Sequence, residues 1–89
     1  MNIKSLNNVT RKILLPKFPW IEDFEWKFFS YDGYNYYTLE VIPEMEFTKS
    51  QIFMDRFEVE IEDEIKSLFQ MLAPATNEKF NRVQLSYYL

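Results

Sequence analysis

The chain has 89 residues, 19% of them aromatic, a net charge of −4, a single glycine, and neither cysteine nor histidine. Without Cys there are no disulfides, thiolate zinc sites or cysteine nucleophiles, and without His the commonest metal ligand and general acid–base group is missing. This length sets the expectation of one domain over residues 1–89, burying roughly 60–65% of its unfolded surface and using aromatic side chains to enlarge a small core.

Charge is unevenly placed. Residues 1–17 carry four bases and no acid, whereas residues 18–89 carry six bases against fourteen acids, giving −8. An acidic body argues against non-specific nucleic-acid binding by the whole domain. Nothing at the N-terminus reads as a signal peptide, and no run approaches the roughly 20 apolar residues that span a bilayer. The expectation is a cytoplasmic protein with no membrane partner. Phe, Ile, Lys, Asn and Tyr, which have AT-rich codons, outnumber Gly, Ala, Arg and Pro by 35 to 10.

Residues 3–15 form an amphipathic pattern, with Ile3, Leu6, Val9, Ile13 and Leu14 on one side and Lys4, Arg11 and Lys12 on the other. Asn2 is an N-cap candidate, and Pro16 with Pro19 is expected to end the helix. Phe18, Trp20 and Ile21 follow as a connector suited to plugging one end of the core.

Asp32-Gly33 between two β-rich runs is a strong hairpin signal. With these two residues as the turn, Tyr31 faces Tyr34, Phe29 faces Tyr36, Trp26 faces Leu39 and Phe24 faces Val41. Phe24, Trp26 and Phe28 then share a core face with Tyr37, Leu39 and Val41. The opposite face carries Phe29, Tyr31, Tyr34 and Tyr36, aromatic residues that need a cover. A one-residue slip inverts every side chain, so burial pins this register. Glu25 and Glu40 come out directly opposed, which calls for a base or cation between them.

Residues 48–72 read as the longest helix. Thr48 and Gln51 make a capping box, and Phe47 with Ile52 a hydrophobic staple. Phe53, Met54, Phe57, Ile61, Ile65, Leu68, Phe69 and Leu72 fill an apolar arc of about 160°. An arc that wide calls for a second surface, either the N-terminal helix or a partner chain. The span is about 37 Å against strands of about 27 Å, so the helix should overhang the sheet or break near an end. Val59 falls on the polar side. After Ala73-Pro74, residues 75–80 read as a loop, and 81–89 alternate as a last strand with Val83 and Leu85 inward and Arg82, Gln84 and Tyr88 outward.

The order α-β-β-α-β gives an α+β two-layer sandwich. A three-stranded, mainly antiparallel sheet is packed by the long helix and the N-terminal helix. In topology this resembles a ferredoxin-like arrangement lacking its first strand, a likeness that carries no function. If the last strand pairs with the first hairpin strand, Arg82 neutralises Glu25.

The acidic run from Glu58 to Glu64 reads as a solvated helix face. It has neither the Glu-x-x-His pairs of a dinuclear site nor EF-hand spacing. One glycine cannot build a phosphate-cradling loop, and no nucleophile motif occurs. No catalytic residue, cofactor or metal site is assigned, and the chain reads as a non-enzyme. The interaction candidates are Phe29, Tyr31, Tyr34, Tyr36 and Tyr88. They suit a homodimer or another protein partner first. Single-stranded nucleic acid stacked on the sheet is the first alternative. A small acidic inhibitor of a nucleic-acid-binding protein, of the kind AT-rich viral genomes encode, is the second.

Overall fold

A computed structural model describes residues 3–44, 51–72 and 77–86 and, within the second helix, the side chains of 56–71. The elements run α1 (Ile3–Lys17), β1 (Ile21–Tyr31), β2 (Tyr34–Pro43), α2 (Gln51–Leu72) and β3 (Glu78–Leu85). This is the α+β order expected from the sequence. Asn2, the 48–50 end of the long helix with its capping box and staple, and Tyr88 lie outside the described residues.

The hairpin forms in the expected register. Asp32 and Gly33 take φ values of 52° and 81°, the left-handed pair of a two-residue type I′ turn, and Tyr31 pairs with Tyr34. The turn is tied down from a distance: the Asn77 side-chain amide donates to the Gly33 carbonyl at 3.2 Å, and the Asn35 amide donates to the Asn77 carbonyl at 2.8 Å.

The sheet order is β1-β2-β3, with β1 and β2 antiparallel and β2 and β3 parallel. The sheet is therefore mixed. Because β2 and β3 are direct neighbours joined through α2, they make a plain βαβ unit. A split βαβ of the ferredoxin-like kind would hold another strand between them, so that likeness does not extend to the sheet order. Arg82 lies beside Thr38 of β2 and donates to Gln84 at 3.2 Å, so it does not reach Glu25 on the far strand. β3 also begins earlier than its alternation suggests. A bulge between Phe80 and Arg82 leaves Phe80 and Val83 on the same face three residues apart, which breaks the period of two across 78–82.

Helix α1 runs through Pro16 to Lys17 rather than stopping before it. Proline lacks only its own amide donor, and Phe18 N still donates to Leu14 O at 2.8 Å, closing the last turn. Pro19 then prevents continuation.

Both helices cover the same sheet face, and Trp26 sits where they meet. Its indole N–H donates to Thr10 Oγ1 of α1 at 3.1 Å, and its ring lies 6.3 Å from that of Phe69 on α2. Thr10 is fully buried and its hydroxyl donates to Leu6 O at 2.6 Å. The core between the layers holds Leu6, Leu14, Leu39, Val41, Ile61, Ile65 and Val83, all essentially without solvent contact. Phe18 and Trp20 plug one end against Phe57, with ring centroids 6.0 and 4.8 Å from it. These contacts, with the Lys17–Glu64 ion pair, supply within the chain the second surface that the wide arc of α2 called for. Val59 is exposed, as its place on the polar side implies.

Candidate interaction surface

The outer face of the sheet, opposite the helices, gathers Phe29, Tyr34 and Tyr36 into one cluster. Phe29 and Tyr36 stack across the two strands with centroids 5.3 Å apart and planes 18° apart, and Tyr34 leans on Tyr36 at 6.4 Å. Tyr31 stands opposite Tyr34 at the turn. Phe29 is 52% exposed, Tyr31 70% and Tyr34 41%, while Tyr36 is half-buried between its neighbours. Those three exposed rings present about 330 Å². That already matches the largest apolar patch of an ordinary monomer.

Phe28 belongs to the opposite face and was expected in the core, but it is 62% exposed. It packs on the Tyr37 ring at 5.8 Å and lies farther toward the turn than Trp26 and Phe24, the residues that α1 meets through Thr10 and Arg11. The alternation assigned its face correctly. It carried no information about how far along the strands the helices reach. The turn end of the hairpin is thus apolar and exposed on both faces.

Charges on the outer face are arranged in pairs. Lys27 Nζ bonds Glu40 Oε2 at 3.0 Å and also lies in the field of Glu25, so it is the base that the opposed glutamates required. The hydrogen bond and charge of Glu40, reinforced by Glu25, raise the Lys27 pKa. Lys79 Nζ sits 5.3 Å from the Tyr34 ring centroid, a cation–π contact. Lys79 was missed because the bulge at Asn81 hid the first half of β3. Among outward-facing described positions, Lys27, Lys79 and Arg82 stand against Asp23, Glu25 and Glu40, a balanced set.

The Tyr37 hydroxyl lies on the helix-covered face of the sheet, near Glu78. Burial and a hydrogen bond to Glu78 push its pKa up to about 12, so it stays protonated in the core. Among the described residues no group of three acidic side chains is placed to hold a metal ion, and no helix is long and apolar enough to cross a membrane. On α2, Arg56 and Glu60 pair at 3.4 Å and Glu64 pairs with Lys17, both at the surface.

No protein-family model, curated protein or solved structure matches the chain, so its function rests on the site alone.

Proposed function

We propose that this chain is a non-enzymatic, cytosolic protein-interaction module that self-associates through the turn end of its hairpin. One observation carries the reading: Phe28, Phe29, Tyr31 and Tyr34 are all substantially exposed at the same end of a rigidly tied hairpin. Burying aromatic surface is worth about 25 cal/mol per Å², so leaving this much of it in water on both faces of one ribbon favours association. The long helix is the weaker candidate for the contact. Among its described side chains, Ile61, Ile65, Leu68 and Phe69 are buried within the chain, and the large exposed apolar ones, Val59 and Met71, lie twelve positions apart.

Light scattering on a sizing column tests the reading. The wild type is expected to rise above the 10.9 kDa of one chain as concentration increases, and a Phe29→Ser/Tyr31→Ser variant to remain there. A wild type that stays at one chain's mass throughout overturns it.

Single-stranded nucleic acid is the second reading, favoured by Lys79 over Tyr34 beside the stacked Phe29–Tyr36 pair. It requires tyrosine fluorescence to be quenched by oligonucleotides at low salt, with affinity falling as salt rises. No quenching at low salt removes it.

A further inference from the structure

Strand β1 forms one edge of the sheet and runs eleven residues without a proline. Its free hydrogen-bonding groups can be assigned by alternation. On β2 the Asn35 amide bonds Asn77 and the Val41 carbonyl accepts from Ser86, so odd-numbered residues of β2 turn toward β3 and even-numbered ones toward β1. The pairs that exchange bonds with β1 are then Tyr31:Tyr34, Phe29:Tyr36, Lys27:Thr38 and Glu25:Glu40. The backbone groups of Phe24, Trp26, Phe28 and Ser30 point out of the sheet. The Phe24 amide is already taken, by Asp23 Oδ1 at 2.8 Å. Among the described residues nothing pairs with Trp26, Phe28 and Ser30 on this side, and they form an open ladder beside the exposed aromatic rings. An edge of this kind is a template for another strand.

We propose that the occupant is the β1 edge of a second copy, antiparallel about a two-fold axis through Phe28. This rests on the self-association reading and specifies its contact. Outward-pointing residues must pair with each other, so the axis falls on a single residue, and four placements keep a useful length of strand. Axes at Glu25 and Lys27 set like charges directly opposite, Glu25 on Glu25 and Lys27 on Lys27. An axis at Trp26 needs the Phe24 amide that Asp23 occupies. It also brings the two α1 helices together, because Thr10 and Arg11 lie over Trp26 and Phe24. An axis at Phe28 moves those helices about 13 Å farther apart along the strands.

With the axis at Phe28, three pairs of outward-pointing residues form about six ladder hydrogen bonds. The exposed Phe28 ring closes on its own symmetry mate. On the outer face Lys27 meets Phe29 of the second copy, and Glu25 meets Tyr31. The product is a six-stranded sheet with all four helices on one side.

Wild-type amide exchange, read by NMR at low and high protein concentration beside sedimentation of the same samples, tests the pairing. The mass is expected to rise toward two chains while the amides of Trp26, Phe28 and Ser30 slow by roughly tenfold or more. The amides of Lys27 and Phe29, already bonded to β2, are expected to change little. If the mass rises and those three amides do not slow, the edge pairing is overturned while self-association stands. If the mass never rises, both fall. The variant Phe28→Pro adds an independent arm, because the amide it removes serves no bond among the described residues. It is expected to keep the wild-type circular dichroism and Trp26 emission and to stay at one chain's mass. A folded Phe28→Pro that still dimerises overturns the proposal.

Discussion

Thr10→Val removes one buried hydroxyl and almost no volume, and it isolates the polar contact at the centre of the fold. Thr10 has no solvent exposure and Trp26 is 7% exposed, so no water replaces the lost acceptor. The Leu6 carbonyl keeps its helical bond from the Thr10 amide, whereas the Trp26 indole N–H, bonded at 3.1 Å, is left buried without a partner. Such a donor costs about 1–3 kcal/mol, and the added methyl returns at most about 0.8 kcal/mol. With the methyl credited in full, the expected net loss is about 0.2–2.2 kcal/mol, or roughly 1–18 °C in Tm for a chain of this size. For a protein with roughly 4–13 kcal/mol in total, the upper end of that range is a substantial share. Urea denaturation followed by circular dichroism, at concentrations low enough to keep one chain per particle, measures it. Pairing Thr10→Val with Trp26→Phe in a double-mutant cycle separates the bond from the volume change, and a coupling of about 1 kcal/mol is expected. A coupling within about 0.3 kcal/mol of zero would refute the assignment.

Three further outcomes are expected. Between pH 10 and about 12 the unfolded chain loses the Tyr37 proton while the folded chain keeps it. Stability therefore holds below pH 10 and falls as pH rises toward 12, and Tyr37→Phe should flatten that fall in urea midpoints measured against pH. Gly33→Ala meets no atom within 4 Å, so its cost of about 1–2 kcal/mol comes from the φ of +81° alone, and Gly33→Asn should cost less in the same denaturation assay. Ile65→Ala, at a fully buried site, should cost about 2–5 kcal/mol, while Phe28→Ser at the same low concentration should change stability by less than about 1 kcal/mol.

The hairpin was legible because several independent signals agree on it. Asp32-Gly33 specifies a two-residue turn, the alternation of Phe24 and Trp26 with polar residues sets the face, and Leu39 and Val41 confirm it from the other strand. The outer face followed directly, so Phe29, Tyr31 and Tyr34 were placed there as rings in need of a cover before any tertiary contact was known. What stayed hidden depends on contacts distant in sequence. The exposure of Phe28 depends on where α1 lies over the sheet, and no periodicity within β1 records that. Lys79 and the start of β3 were lost to one extra residue at Asn81, which puts Phe80 out of phase with Val83. Thr10 sits one helical turn from both Leu6 and Leu14, yet its polarity kept it out of the apolar stripe. Its burial becomes intelligible only once the Trp26 indole is found above it. The parallel pairing of β3 with β2 was not foreseen: a mainly antiparallel sheet was expected, and local pattern left either hairpin strand open as the neighbour of β3, whereas the crossover through α2 returns the chain parallel to β2.

The most direct measurement of the central claim is an isotope-filtered NOE experiment on an equimolar mixture of labelled and unlabelled wild-type chains, which reports only contacts between copies. Self-association through the hairpin end requires cross-peaks between copies from the rings of Phe28, Phe29 and Tyr31. The absence of cross-peaks from these rings, or cross-peaks confined to Val59 and Met71 of α2, would contradict it.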